Sequence, residues 1–229
     1  MQPEPATIII AGSEGLIGKS VVGYFARSHK VLKLDLALGH DLSSEAFVHQ
    51  WFSANHGDYL INLFALNDHI GPGKGGAGTL FDISLDSFRM YLEVNLTSLF
   101  SVCREFARNN PKGGIVNFSS TYGLVSPRPE MYDGGEKHVA YGVSKAGVIQ
   151  LSRHLAVHLA PRFRVNCVVP GGVRFKQSEE FQARYASHTP LHRMMEANEL
   201  HGILNYLCSD DSSYTTGAVL PVDGGWTAT

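Results

Sequence analysis

The sequence has few cysteines and no long hydrophobic run. Its three cysteines, Cys103, Cys167 and Cys208, are odd in number, widely spaced and set among apolar residues. Disulfide frameworks and cysteine metal sites have closer, paired spacings, so we expect reduced core residues of a cytoplasmic protein. The apolar run at 6–11 is far shorter than a membrane span or a signal sequence, and no basic residue precedes it. These absences predict a protein that has no membrane role.

The sequence also has no excess of charge of either sign. It contains 19 Lys and Arg against 21 Asp and Glu, without a basic block, so a nucleic-acid partner has no electrostatic support. The hydrophobic fraction of 44% is typical of an ordinary globular protein. Because no repeat or low-complexity linker divides the chain, we expect a single domain over residues 1–229.

A β-branched apolar run near the start of the chain is followed by a glycine-rich turn. Residues 7–11 predict a strand buried on both faces, and Gly12, Gly15 and Gly18 precede a helical pattern. This order is typical of dinucleotide-binding units. Glycine lets the backbone approach a pyrophosphate, and the helix N-terminus offers it unpaired N–H groups. A plain turn between strand and helix is the alternative.

An acidic residue ends the second predicted strand, at 31–34. Asp35 lies about 20 positions beyond the glycine turn, where a carboxylate can bind an adenosine ribose. A carboxylate there would repel a 2′-phosphate, and Glu14 within the turn acts in the same direction. The pattern therefore favours NAD over NADP. The alternative is that Asp35 is only a solvated residue at the end of a strand.

The rest of the chain alternates apolar strands with helices. Strands are predicted at 58–65, 114–120, 164–169 and 217–222, and helices at 43–55, 86–109, 139–160 and 196–208. This alternation implies right-handed crossovers. The expected fold is α/β, a three-layer doubly wound (Rossmann) parallel sheet of six or seven strands with helices on both faces. The glycine-rich segment 71–78 lacks the Lys-Ser/Thr pair of a P-loop, so we expect a surface loop.

Tyr141 and Lys145 are four residues apart on a predicted helix and therefore share a face. A free phenol titrates near about 10, and a neighbouring cation lowers its pKa towards the range useful for general acid/base catalysis. The same spacing also occurs by chance on solvated helices. Ser120 ends a buried strand, at the sheet edge where α/β proteins bind ligands.

Together these features resemble the short-chain dehydrogenase/reductase family over essentially the whole chain. The matching features, in the family's order, are the glycine turn at 12–18, Asp35, Asp41 with Leu42, 58–65, Asn95, 115–120, Tyr141 with Lys145, 164–173 and 216–225. The chain is similar to the single-domain oxidoreductase branch, because too few residues follow Lys145 for the substrate domain of the sugar-nucleotide epimerases.

The resemblance implies an NAD(P)-dependent oxidoreductase that transfers a hydride between nicotinamide and a carbonyl or secondary alcohol. Tyr141 is then the general acid/base on the substrate oxygen, and Lys145 lowers its pKa and holds the nicotinamide ribose. Ser120 is implied to hydrogen-bond the substrate oxygen, and Asn95 to anchor a water that links Lys145 to solvent. Segments 120–141 and 174–195 are expected to flank the substrate.

The resemblance also implies NAD as cofactor, with NADP less favoured. The implied cofactor-binding residues are Gly12, Ser13, Gly15, Leu16, Ile17, Gly18, Asp35, Asp41, Leu42, Asn62, Phe64, Ala65, Tyr141, Lys145, Pro170, Gly171 and Val173. No metal is expected, since His154 and His158 lack a third ligand. The expected partners are a small carbonyl or alcohol substrate, sugar-like or anionic, and further copies of the chain in a homotetramer or else a dimer.

Four features depart from the family pattern. The glycine spacing is that of the epimerase branch, and the Asp35–Asp41 connection is too short for the usual helix before a third strand. Residues 62–65 are bulkier than usual, and Phe175 stands where Thr is common. Two alternatives therefore stay open: a catalytically weak NAD-binding sensor or scaffold, and a sugar-nucleotide epimerase or dehydratase.

Overall fold

A six-stranded parallel sheet forms the centre of the computed structural model, which describes residues 5–67, 80–132 and 136–229. The strands are β1 (Thr7–Ala11), β2 (Lys30–Leu34), β3 (Tyr59–Asn62), β4 (Gly113–Phe118), β5 (Phe163–Pro170) and β6 (Val219–Val222). Their order is β2-β1-β3-β4-β5-β6. The chain therefore reverses direction across the sheet between β1 and β3, and a crevice at their carboxyl ends is the usual ligand site of such sheets. The predicted loop at 71–78 lies outside the described residues.

Helices cover both faces of this sheet, as predicted. They are α1 (Leu16–Phe25), α2 (Glu45–Ala54), α3 (Leu85–Leu92), α4 (Ser98–Asn109), α5 (Val139–Leu159), α6 (Glu179–Ser187) and α7 (His201–Leu207). Alternate residues of β1 enter opposite cores. Ile9 packs with α2, α4 and α5, whereas Ile8 and Ile10 pack with α1 and α7. Both faces of the sheet are thus buried, which explains why its strands are continuously apolar.

The short connection after β2 removes one strand from the usual arrangement. Residues 36–38 form a single 3₁₀ turn, and α2 then begins at Glu45 with the Ser44 hydroxyl accepting the Phe47 N–H. The structure describes every residue from 35 to 58 and contains no strand there. β2 is consequently an edge strand of the sheet, opposite β6.

The helix predicted at 86–109 is divided by a π-helical turn at Glu93–Thr97. The Ser98 hydroxyl donates to the Glu93 carbonyl at 2.9 Å within this wider turn. π turns inside helices are often found at functional sites, and this one carries Asn95.

Other boundaries also differ from the prediction. β3 ends at Asn62 instead of 65, and β4 ends at Phe118 instead of 120. The polar segment 174–195 contains α6, the helix predicted at 196–208 opens as a 3₁₀ turn over Ala197–Leu200, and the last strand starts at Val219. Within the described part of the chain, every helix is too short or too polar to cross a membrane.

Candidate active site

A cavity of about 370 Å³ opens at the carboxyl ends of the strands, where the chain reverses direction. Twelve of the predicted site residues line it: Gly12, Gly15, Leu16, Ile17, Gly18, Ala65, Ser120, Tyr141, Lys145, Pro170, Gly171 and Val173. They come from the glycine turn, the segments after β3, β4 and β5, and α5. The fold therefore brings the nucleotide-type turn and the tyrosine–lysine pair into one space.

The glycine turn is packed so closely that larger residues do not fit. Gly12 has a φ of +85°, and a Cβ there would lie 2.5 Å from the Phe64 nitrogen. A Cβ on Gly18 would lie 2.0 Å from the Gly12 oxygen. These glycines bring the N-terminus of α1 up to the cavity, which is the arrangement that binds a pyrophosphate.

Ser13, inside this turn, supports the same use. Its side chain is buried, and its hydroxyl has no hydrogen-bond partner among the described residues. Gly15, the N-cap of α1, supplies no side-chain cap to the first turn of the helix. Phosphate oxygens satisfy buried hydroxyls and uncapped N–H groups, so the turn fits a dinucleotide. Ser13 itself does not line the cavity.

Tyr141 and Lys145 are both buried on the inner face of α5. The Lys145 Nζ donates to the Phe118 carbonyl at 2.9 Å and lies 5.9 Å from the centre of the Tyr141 ring. Burial lowers the pKa of Lys145 to about 8. The lysine is therefore held between the end of β4 and the tyrosine.

The net pKa shift of Tyr141 is opposite to the predicted one. Burial raises the pKa of Tyr141 to about 12, and a hydrogen bond with Ser120 only partly opposes this. This direction contradicts the sequence-based expectation of a lowered pKa, because desolvation of the phenolate outweighs the hydrogen bond with Ser120.

Ser120 stands at the end of β4 in extended backbone, and its hydroxyl accepts the Tyr122 N–H at 3.2 Å. The neighbouring Ser119 hydroxyl donates to the Lys145 carbonyl at 2.7 Å. These bonds fix the strand end against α5. The Ser120 hydroxyl and the Tyr141 phenol consequently face the same part of the cavity.

The comparisons with known proteins agree with this geometry. A family model described as enoyl-(acyl carrier protein) reductase matches residues 18–227. The chain belongs to the short-chain dehydrogenase/reductase family. It is 32% identical to the 3-oxoacyl-[acyl-carrier-protein] reductase FabG of Aquifex aeolicus, over 96% of this chain and 87% of that protein.

Two further relatives have the family in their names. An uncharacterized short-chain type dehydrogenase/reductase of Sinorhizobium fredii, y4vI, is 31% identical over 96% of this chain, which spans only 43% of that protein. A short-chain dehydrogenase from Leptospira borgpetersenii, solved with bound NAD+, superposes with a TM-score of 0.87 at 29% identity. That comparison covers 98% of this chain and 93% of the Leptospira chain.

Asp35 of this short-chain dehydrogenase/reductase lies beside the glycine turn, outside the cavity lining. Its carboxylate accepts the Glu14 N–H at 2.8 Å and the Ala37 N–H at 2.9 Å. Lys33 forms a 3.0 Å ion pair with Glu14. The carboxylate thus joins the turn to the end of β2, and its expected contact with an adenosine ribose remains a prediction.

Asp41 and Leu42 have different surroundings. The exposed Asp41 carboxylate accepts the Ser43 N–H and hydroxyl at 2.9 and 2.6 Å, and these bonds lower its pKa. Leu42 is buried in the core that α2 and α4 share. Neither lines the cavity, and their expected contacts with adenine remain a prediction.

The remaining predicted site residues lie just behind the cavity wall. Asn62 is buried and donates to Asn117 Oδ1 at 2.8 Å, and Phe64 packs against the core. Asn95 Oδ1 accepts the Leu66 N–H at 2.6 Å, while its Nδ2 lies 3.0 Å from the Ser144 hydroxyl. Asn95 therefore supports the wall directly, and its expected water contact remains a prediction.

Segments 120–141 and 174–195 both line the other half of the cavity. Apart from Asn67, the side chains of this wall come from the two segments that the sequence predicted to flank the substrate: Tyr122, Tyr132, Lys137, Phe175, Gln177, Phe181, Tyr185 and Met194. The Tyr132 hydroxyl donates to that of Tyr122 at 2.7 Å, and Tyr185 stacks on Trp226 with ring centres 4.5 Å apart. No local motif marks these residues, because distant segments supply them.

The described residues contain no group of three or more His, Cys, Asp and Glu side chains arranged to hold a metal ion. On α5, the rings of His154 and His158 stack 6.0 Å apart, and His158 Nδ1 lies 2.8 Å from the His154 carbonyl. That hydrogen bond keeps the second ring turned towards its own helix.

Proposed function

We propose that this chain is an NAD-dependent oxidoreductase that interconverts a carbonyl compound and a secondary alcohol, with Tyr141 as the general acid/base. The observation that carries the proposal is the single cavity shared by the glycine turn, Ser120, Tyr141 and Lys145. Nicotinamide, when bound, supplies or accepts the hydride. The chain's own residues then have to hold the substrate oxygen and move its proton.

The phenol of Tyr141 is suited to the proton transfer. With a pKa raised to about 12 it is protonated at neutral pH, and it can donate to the oxygen that gains charge during reduction. Ser120 offers a second hydroxyl to the same oxygen, which stabilises developing negative charge in a buried site. In the oxidative direction the phenol has to lose its proton, and a cationic Lys145 nearby favours that loss.

NAD is the favoured cofactor in this proposal. The Asp35 carboxylate beside the glycine turn would repel a 2′-phosphate. Lys33, a nearby cation, is already paired with Glu14. The Leptospira relative was solved with bound NAD+, which agrees with this preference.

We further propose a cytoplasmic homotetramer, or else a dimer. Exposed apolar side chains lie on the outward faces of α3, α4 and α5, namely Leu85, Met90, Phe100, Val143 and Val157. Apolar surface of this kind is commonly covered in an assembly. Light scattering coupled to size exclusion should give a mass of four or two chains, and a single-chain mass would contradict the proposal.

Tyr141→Phe tests the catalytic assignment. We expect kcat to fall at least about 100-fold, because the hydroxyl is the proton donor, with NADH binding unchanged. Tyr132→Phe is the matched control, since it removes another hydroxyl from the same cavity. Full activity of Tyr141→Phe on a substrate of the native protein would refute the assignment.

A nucleotide-binding sensor or scaffold is the second candidate. The raised pKa of Tyr141 favours it, together with the bond that holds Lys145 on the Phe118 carbonyl. Both features disfavour the phenolate that alcohol oxidation needs. NADH binding without turnover across a broad panel of alcohols and ketones would support this candidate.

A further inference from the structure

Tyr185, on α6, bonds to the backbone of the segment that follows β5. Its hydroxyl accepts the Gly172 N–H at 2.6 Å, and its ring is buried in the wall of the cavity. The proposed proton transfer does not use this tyrosine. Because its hydroxyl binds the backbone, its effect on the site has to pass through that segment, residues 170–173.

Segment 170–173 lies next to the place where the reaction is proposed to occur. The Ser119 N–H donates to the Val168 carbonyl at 2.9 Å, so β4 and β5 end side by side. Ser120 follows the first of these strands, and the segment ends the second and continues from it. All four residues of the segment line the cavity, as do Ser120 and Tyr141. The segment therefore forms the wall beside the proposed reacting oxygen.

The segment and the Tyr185 ring fit together without space for further atoms. A Cβ on Gly171 would lie 2.9 Å from the Tyr185 hydroxyl, and a Cβ on Gly172 would lie 2.7 Å from Cε2 of the same ring. Real structures do not tolerate such contacts without a shift of the backbone. The position of the ring thus sets the path of the segment.

The face of the Tyr185 ring packs on Trp226. The two rings stack with their centres 4.5 Å apart and their planes 17° from parallel. Trp226 is buried in a turn that Asp223 closes, since the Asp223 carboxylate accepts the Gly225 N–H at 2.9 Å and the Thr227 N–H at 3.0 Å. A hydrogen-bonded turn after β6 therefore holds the tyrosine in place, in addition to α6 itself.

Backbone bonds hold the same segment from other directions. The Gly171 N–H donates to the Val222 carbonyl at 2.9 Å, and the Gly172 carbonyl accepts the Met195 N–H at 2.9 Å. These bonds remain when the Tyr185 hydroxyl is removed. We therefore expect its loss to shift the segment locally while the fold persists.

We propose that Tyr185 is a positioning residue for the nicotinamide end of the cofactor. A cofactor held by its pyrophosphate at the glycine turn has to bring its nicotinamide to the carbon whose oxygen meets Ser120 and Tyr141. Segment 170–173 is the backbone beside that place, and the Tyr185 hydroxyl fixes it through the Gly172 N–H. The inference rests on the proposed function, from which it takes the cofactor.

Two nucleotides test this role without requiring turnover. ADP-ribose has the adenosine and the pyrophosphate of NADH but no nicotinamide, and calorimetric titration of the full chain measures both. For Tyr185→Phe, which keeps the stacked ring, we expect NADH affinity to fall about tenfold, or about 1.4 kcal/mol, and ADP-ribose affinity to stay within about twofold. Equal losses for both nucleotides, no loss for either, or failure of the native chain to bind them would overturn the inference.

Tyr206→Phe is the matched control. The Tyr206 hydroxyl is also partly buried, lies 2.7 Å from Thr215 Oγ1, and is outside the cavity lining. Its removal should lower the unfolding temperature about as much as Tyr185→Phe does, and leave the ratio of NADH to ADP-ribose affinity unchanged. The same change of ratio in both variants would overturn the inference.

Hydrogen exchange of the native chain gives a readout that depends on no variant. NADH should slow the exchange of the peptide that contains Gly172, because the nicotinamide covers segment 170–173, and ADP-ribose should leave it unchanged. Equal protection by both nucleotides, or protection by neither, would place the nicotinamide elsewhere.

Turnover separates a failed positioning role from a failed proposed function. On a substrate of the native protein at saturating NADH, Tyr185→Phe should lower kcat about tenfold and leave the substrate KM within about threefold, because a misplaced nicotinamide slows the chemical step. A raised substrate KM with unchanged kcat and NADH affinity would mean that Tyr185 binds substrate instead. If the native chain reacts with nothing while Tyr185→Phe still loses the preference for NADH, the oxidoreductase activity fails and the positioning role stands.

Discussion

The side-chain amide of Asn95 binds both backbone groups of Leu66. Its Oδ1 accepts the N–H at 2.6 Å, and its Nδ2 donates to the carbonyl at 3.0 Å. The same Nδ2 lies 3.0 Å from the Ser144 hydroxyl on α5. Asn95 thus connects the π turn, the segment after β3 and the helix that carries Tyr141.

Replacing Asn95 by Leu should therefore weaken both the fold and the site. The change leaves the Leu66 N–H and carbonyl without their partners, and we expect the free energy of unfolding to fall by about 2 to 4 kcal/mol. Urea denaturation measures this loss. Asn95→Asp puts a carboxylate in the same buried place, opposite the Leu66 carbonyl, so its loss at neutral pH should be at least as large. An unchanged midpoint in both variants would contradict the role.

Lys145→Met should change how stability depends on pH. Burial lowers the folded pKa of Lys145 from 10.5 to about 8. Between these values the unfolded chain binds more protons, so this lysine's contribution makes stability rise with pH. Burying the charged lysine lowers the free energy of unfolding by about 3 kcal/mol; this loss is fully present below pH 8 and disappears near pH 10.5.

We therefore expect Lys145→Met to be inactive yet more stable than the native protein at pH 7, by about 2 kcal/mol after the loss of the bond to Phe118. The difference should shrink as the pH rises from 8 to 10.5. Denaturant titrations of both proteins at each pH measure this difference. The buried cysteines and tyrosines contribute equally to the pH dependence of both proteins, so their contributions cancel. A difference that stays constant with pH would mean that Lys145 has an ordinary pKa.

Two glycines on α1 should respond in opposite ways to alanine. Gly18→Ala places a methyl group 2.0 Å from the Gly12 oxygen, so we expect a loss of about 2 kcal/mol or more and no NADH binding. Gly23→Ala meets nothing within 4 Å and should stabilise the helix by about 0.5 to 1 kcal/mol. Thermal unfolding and NADH titration compare the two, and normal NADH binding by Gly18→Ala would show that this close approach is dispensable.

Asp35→Asn should relax the choice between cofactors. The Glu14 and Ala37 N–H groups bind different oxygens of Asp35, so the amide keeps one of these two bonds and loses the other. It also removes the charge that would repel a 2′-phosphate. We expect the ratio of NADPH to NADH affinity to rise about tenfold. Asp41→Asn is the control, because the Asp41 carboxylate is exposed and bonds only to Ser43 among the described contacts. An unchanged ratio in Asp35→Asn would remove Asp35 from cofactor selection.

Local sequence signals were sufficient for the sheet and for the nucleotide half of the cavity. Apolar runs, glycines and helix periodicity depend on near neighbours, so residues 7–18 could be interpreted directly. The short Asp35–Asp41 connection left open whether the next strand is kept, and the described residues 35–58 contain no strand. The π turn at 93–97 was not foreseeable, because tertiary bonds from Asn95 accompany it and no local composition marks it.

The electrostatics of the site could not be predicted from spacing alone. The interval between Tyr141 and Lys145 gives their proximity, whereas the direction of the phenol's pKa depends on how completely the ring is buried. Likewise, Lys137 meets Asn67 from a position 70 residues away. A sequence pattern does not encode such a contact, so the sequence predicted which segments flank the substrate but not which side chains meet there.

The short connection after β2 also affects how molecules of this protein meet each other. As the outermost strand, β2 pairs with β1 on one side only, so its other row of backbone groups lies on the rim of the sheet. An exposed edge strand can pair with a strand of a second molecule, and this pairing is a common route to aggregation. Lys30 and Lys33 are exposed on this strand, and their like charges would oppose each other in any such pairing. The exposed lysines of β2 therefore disfavour edge-to-edge pairing of the sheets of two molecules.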